Sequence, residues 1–128
     1  MEYTNFELLL AGGFMVIHRS EMKIEDKERM RDGEGTTRLT HLVDGSTQKN
    51  ARLFAEITLN PGCSIGKHQH DSETEYYFIL SGTGIVDDDG NEVQVKQGDS
   101  IITGNGAFHS IKNTGSEALV FHAVIVTY

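Results

Sequence analysis

The chain has 128 residues, with 19 acidic against 11 basic side chains and a formal net charge of −8. A single domain of this length buries a core without covalent staples, and the lone cysteine, Cys63, leaves no intrachain disulfide framework, in keeping with a cytoplasmic protein. The acidic balance argues against nucleic acid, which is bound by clustered Lys and Arg, and against anionic membranes, and no apolar run approaches the roughly 20 residues of a spanning helix.

At the N-terminus, the leader "MEYTNFELLLAGGFM" carries Glu2 and Glu7 and no basic residue, so it does not read as a secretory signal. The codons for Ala11 to Met15 can spell a purine-rich ribosome-binding sequence just ahead of a Met codon. Residues 1–14 are therefore expected to be either a non-native extension before a natural start at Met15 or an ordinary N-terminal extension, with one domain over 15–128; the intact mass of protein made from its native locus decides. "MVIHRS" is a short apolar piece, and "EMKIEDKERMRDGEG" (21–35) is a charged surface segment with room for one helical turn. From Thr36 onward the pattern is β. "ARLFAEITL" (51–59) alternates Leu53, Ala55, Ile57 and Leu59 on one face, the period of a half-buried strand. Asn60-Pro61-Gly62 is a turn. "EYYFILSG" and "TGIVDDDG" follow, then "NEVQVKQGD", with "DDDGNE" as an acidic hairpin turn rather than a calcium loop. "SIITG", "AFHSIKN" and "EALVFHAVIVTY" complete a set of short, Gly-punctuated strands that predicts an all-β sandwich or barrel.

Chemistry concentrates in "KHQHDSETEYYFIL". Residues two apart on a strand share a face, so His68 and His70 project together if this stretch is extended. Glu75 opens the next strand after the polar "DSET", in which Asp71 and Glu73 read as turn residues; Glu75, Tyr77 and Ile79 share a face. A third element, "GDSIITGNGAFHSIKN", sets His109, Ile111 and Asn113 on one face after a glycine turn.

These residues carry a resemblance. Gly62-x5-His68-x-His70-x4-Glu75-x6-Gly82 is similar at every specified position to the first motif of the cupin superfamily, and Gly98-x5-Gly104-x-Gly106-x2-His109-x3-Asn113 resembles the second. One position departs: the family usually has proline where this chain has Gly104, which questions the rigidity of the loop rather than ligation. The resemblance covers residues 36–128 and implies a jelly-roll β-barrel of the small single-domain kind. It also implies one divalent transition metal on His68, His70, Glu75 and His109, with Mn, Fe, Ni, Co, Zn and Cu all compatible with such a mixed N/O set. A homodimer that exchanges N-terminal arms is implied too, with "MVIHRSEM" as the arm.

Other residues stay ambiguous. Tyr77 and His122 are the candidate catalytic groups; the alternative is packing for Tyr77 and a satisfied core position for His122, and His41 poses the same choice. His18 reads as surface or interface, Asn113 as a ligand contact or a turn bond, and Arg52 as exposed or in a subunit contact rather than an anion-binding group. Oxalate-decarboxylating relatives carry an arginine three residues before the first histidine, where this chain has Ile65. Strand parity turns Ile65 away from His68 unless a bulge at Gly66 resets it. The functional expectation is a metal-binding cupin holding a small organic ligand. Its alternatives are a non-catalytic sensing module and an oxalate decarboxylase-like or dioxygenase enzyme.

Overall fold

The period-2 alternation read from Thr36 onward becomes strand pairing in the computed structural model, which describes residues 14–128. The expected extension over residues 1–14 lies, Phe14 excepted, outside the described residues. The described residues form ten strands: β1 (Ile24–Glu28), β2 (Thr36–Val43), β3 (Ala51–Leu59), β4 (Ser64–Gln69), β5 (Glu73–Ser81), β6 (Thr83–Asp88), β7 (Asn91–Lys96), β8 (Ser100–Gly104), β9 (Phe108–Asn113) and β10 (Leu119–Thr127). They build a six-stranded sheet in the order β1-β2-β3-β10-β5-β8 and a four-stranded sheet in the order β4-β9-β6-β7. All pairings are antiparallel.

The inner faces of the two sheets make the core. On β10, Leu119, Phe121, Ala123 and Ile125 point inward, meeting Ala55, Ile57 and Leu59 of β3 and Tyr77 and Ile79 of β5. The smaller sheet answers with Ile65, Val86 and Ile111. Full burial of a side chain such as Phe121 stabilises by roughly 1.5–3 kcal/mol, and β10 contributes four apolar side chains to that inner face. The β6–β7 hairpin turns at Asp89 and Gly90, both at positive φ, the two-residue geometry that matches strand twist. Asp87 accepts the Gly90 N–H there, which gives that acidic turn a structural role.

Three local features differ from the sequence reading. The charged segment 21–35 contains a strand, β1, paired with β2. Its run of charges suits a sheet edge, where charge deters pairing with other chains. Beyond β1 the chain forms a strap, residues 29–35, that lies flat on β4. Gly33 and Gly66 allow this approach: a methyl group on Gly33 would stand 2.2 Å from the Ser64 carbonyl oxygen, and one on Gly66 1.9 Å from that of Arg31. Finally, Glu73 belongs to β5 rather than to a turn. The "DSET" turn tightens at Ser72, in the left-handed region, and frees Glu73 to pair.

The Gly104 departure has a local cause. Gly104 pairs with Thr74 across β5–β8, and a methyl group on it would stand 2.4 Å from the Thr74 hydroxyl. The loop after it is fixed by other bonds: Tyr128 Oη donates to Asn105 Oδ1 at 3.0 Å, and Gln69 Nε2 donates to the Gly106 carbonyl at 2.9 Å.

Candidate metal centre

The two sheets bring His68, His70, Glu75 and His109 to one point. His68 on β4 lies directly opposite His109 on β9, His70 follows β4, and Glu75 enters from β5 of the other sheet. One ligand atom from each lies within 4.8 Å of all the others. Glu75 is 4% and His70 and His109 are each 1% exposed.

Each imidazole is oriented from behind. His68 Nδ1 bonds the Gly66 carbonyl at 2.7 Å, His70 Nδ1 the Glu73 carboxylate at 2.6 Å, and His109 Nδ1 the Thr103 hydroxyl at 2.9 Å. Carbonyl and carboxylate can only accept, so those Nδ1 atoms carry the proton and the Nε2 lone pairs face inward. The Nε2 atoms of His70 and His109 stand 2.9 Å apart, and those of His109 and His68 3.0 Å. Glu75 Oε1 is 3.0 Å from Nε2 of both His70 and His109 and 3.9 Å from that of His68. Despite these distances it is buried with no directed hydrogen bond.

The electrostatics follow from this crowding. Burial alone would raise the Glu75 carboxyl; in the metal-free site an imidazole that carries a proton on Nε2 outweighs burial and holds Glu75 well below the usual carboxylate range. Burial pushes His109 down, and the Glu75 carboxylate only partly offsets that. For His70 burial also acts downward, but Glu75 and Glu73 together outweigh it and raise the imidazole. Glu73 is itself held low, first by the Arg52 fork, which reaches both its oxygens at 2.8 and 2.7 Å.

The cluster faces a cavity of about 570 Å³. Its walls are Leu39, Leu53, Ile57, Ile65, Tyr77 and Ile125, and at its mouth stand Lys27, Glu28, Arg29, Arg31 and Arg52. Tyr77 stacks on His109, ring centroids 5.0 Å apart, with its hydroxyl 3.5 Å from Nε2. Burial first, and then the Glu75 carboxylate, push the Tyr77 phenol well above its ordinary value, so it stays a neutral hydroxyl.

A cupin-domain family model matches residues 55–126, which include all four residues of the cluster. The chain is a cupin. An oxalate-binding protein from Thermotoga maritima is 44% identical to this cupin over 116 residues, 90% of this chain and 96% of the relative. A solved structure from Thermotoga maritima, described as a predicted oxalate decarboxylase, superposes with a TM-score of 0.83 at 43% identity, covering 89% of this chain and all of that one. The polyketide cyclase RemF from Streptomyces resistomycificus shares the fold with a TM-score of 0.71 at 20% identity, over 89% of this chain and 79% of its own. The jelly-roll architecture expected for residues 36–128 is therefore the fold of this cupin.

The other predicted positions divide. A bulge between Ile65 and His68 sets one extra residue on β4 against β9 and turns Ile65 onto the cavity side. His122 does not reach the site: it alternates with inward Phe121 and Ala123 and bonds Glu56 on the outer face of the six-stranded sheet, at 3.2 Å. This corrects its candidacy as a catalytic group; its orientation was set by strand register, which sequence alone did not reveal. His41 bonds Glu25 at 3.0 Å and lines the cavity edge. Asn113 is a turn residue, its amide donating to the Leu59 and Glu117 carbonyls and accepting from the Gly115 N–H. The sequence reading missed Glu73 as the partner of His70 and Arg52 as the partner of Glu73. The signal available was spacing: Glu73 and Glu75 share a strand face, and so point at the same histidine.

Proposed function

We propose that this cupin binds one divalent transition metal through His68, His70, Glu75 and His109 and, with it, a small organic acid in the cavity. The observation that carries the proposal is the convergence, at about 3 Å, of three imidazole Nε2 atoms, those of His68 and His70 bare lone pairs, and one carboxylate oxygen without a hydrogen-bond partner. Lone pairs at about 3 Å repel unless a cation sits among them, and His68, His70, Glu75 and His109 would together hold such an ion. The mixed N/O set suits Mn, Fe, Co, Ni, Zn or Cu. When bound, such an ion supplies Lewis-acid attraction for carboxylate oxygens. The protein's own part is orientation and exclusion. Glu73, Thr103 and the Gly66 carbonyl fix the imidazoles, the apolar walls limit water, and the neutral Tyr77 hydroxyl donates a hydrogen bond to an acceptor on the ligand. The relative described as oxalate-binding supports the choice of a carboxylate.

Binding is preferred to turnover because the deep cavity lacks a good proton donor: Tyr77 is too weak an acid, and His122 is outside. An oxalate decarboxylase-like or dioxygenase activity is the second reading, favoured by Glu28 at the cavity mouth. Calorimetry of the Mn(II)-loaded protein with oxalate, followed by assay of the same mixture for formate, CO2 and dioxygen uptake, separates them. Binding without products supports the proposal; products replace it with an enzyme; absence of binding refutes the carboxylate. The proposal extends to a cytoplasmic location, supported by the single free cysteine, and to a homodimer, supported by the exposed apolar side chains Phe78, Leu80 and Ile102 on the outer sheet face. Light scattering that returns a monomer rejects the dimer.

A further inference from the structure

The strap at the cavity mouth bears on the charge of the organic acid. In a chain of formal net charge −8, the cavity is lined by four cations, Lys27, Arg29, Arg31 and Arg52, against two carboxylates, Glu28 and Glu75. Arg52 is engaged with Glu73. Lys27, Arg29 and Arg31 have no ion-pair partner among the described residues, whereas Arg19, Arg38 and Arg52 each do. Unpaired cations that line a concave, apolar-walled site focus attraction on an anion entering it.

The strap is also held in an unfavourable shape. Arg29, Arg31 and Asp32 all have positive φ, of 50°, 54° and 63°, a region that costs a non-glycine residue roughly 1–2 kcal/mol. Such conformations persist where surrounding contacts enforce them. Here the contacts are visible. The Arg29 N–H bonds the Gly35 carbonyl at 2.8 Å and the Ser64 N–H the Glu34 carbonyl at 2.8 Å, the Ser64 hydroxyl takes the Glu34 N–H, and Gly33 and Gly66 let the two backbones touch. A charged surface loop has no need of this. A loop that must keep two arginines at a cavity mouth does. Strand β4 contributes no charge of its own there, because its bulge presents Ile65.

We infer that Arg29 and Arg31 on this strap are specificity-determining residues that select a dianionic ligand, a small dicarboxylate, over monoanionic acids of the same size. One carboxylate of the ligand is held at the metal-ligand cluster and the other is met by the strap guanidiniums, whose planar forks suit carboxylate oxygens. The inference rests on the metal-dependent carboxylate reading and deepens it.

The test compares oxalate with glycolate, a monoanion of similar size, by calorimetry on Mn(II)-loaded wild type and on the Arg29→Gln/Arg31→Gln double variant. The wild type is expected to prefer oxalate. The double variant is expected to lose oxalate affinity by about ten-fold or more, the scale of charge-assisted hydrogen bonds, while Mn(II) affinity and glycolate affinity move less than about two-fold, within ordinary context effects. Arg29→Lys/Arg31→Lys, which keeps the charge, is expected to recover part of the loss. Unchanged oxalate affinity in the glutamine variant overturns the inference and leaves the carboxylate reading standing. A wild type that binds Mn(II) but neither acid overturns that reading and the inference with it. If the glutamine variant loses Mn(II) as well, the lysine variant decides: recovered metal binding with oxalate preference supports the inference, and recovered metal binding without preference overturns it.

Discussion

Replacement of Glu73 by glutamine isolates how the protein holds a ligand it does not touch directly. Glu73 Oε2 accepts from His70 Nδ1 at 2.6 Å, and the Arg52 fork fixes the carboxylate from the other side. Removing the carboxylate behind a ligating histidine costs about 10–100-fold in metal affinity, equivalent to about 1.4–2.8 kcal/mol. A second effect opposes this. Glu73 helps raise the His70 imidazole, so its loss also weakens proton competition for Nε2. That compensation acts only where protons compete, near and below the imidazole range. The predicted deficit of Glu73→Gln is therefore largest near pH 8 and smaller near pH 6. Chelator competition with Mn(II) at the two pH values reads both the size and the slope. Unchanged affinity at pH 8 refutes the orienting role, and a deficit that grows toward pH 6 refutes the electrostatic part. Because Arg52 acts through Glu73, Arg52→Gln is expected to cost less, and the double variant no more than Glu73→Gln alone, as a double-mutant cycle would register.

Three further outcomes follow from the packing and the charges. Gly33→Ala forces a methyl group to within 2.2 Å of the Ser64 carbonyl and is expected to destabilise by about 1–3 kcal/mol, lowering Tm by roughly 4–12 °C; an unchanged Tm contradicts the close strap contact. Asn113→Ala orphans the Leu59 and Glu117 carbonyls and the Gly115 N–H and is expected to cost about 2–4 kcal/mol, measured by urea unfolding. The metal-free protein is expected to lose stability on acidification. The depressed Glu75 contributes stability above its unfolded value of 4.5 that is lost as pH falls, and the depressed His109 resists protonation once pH drops below 6.5. The raised His70 acts the other way, stabilising below 6.5 and losing that contribution as pH rises; the depressed Glu73 and Glu56 carboxyls add to Glu75 and His109 in the acid-destabilising direction, so calorimetry should give a lower Tm at pH 4 than at pH 7.

Much of this was readable from period and spacing. His68 and His70 share a face because they are two apart, and their pairing with His109 needs only that β4 and β9 be neighbours. The inward set of β3 follows from its alternation. What could not be read depended on irregular backbone. Ile65 changes face through a bulge, which breaks the parity argument. Glu73 was hidden because a left-handed Ser72 ends the turn two residues earlier than composition suggested. His122 lies in a run with apolar residues on both sides, so no alternation marked its outward direction. The strap escaped because a charged segment with glycines has the composition of a solvated loop; only the backbone contacts at Gly33 and Gly66 reveal that it packs on the barrel.

Metal binding rests on the four converging donors. Elemental analysis of protein purified without added metal, with the His109→Ala variant prepared in parallel, tests it directly. The expected result is about one transition-metal ion per chain in the wild type and almost none in the variant, the site having lost one of four ligands. Full metal occupancy in His109→Ala contradicts the ligand set of His68, His70, Glu75 and His109.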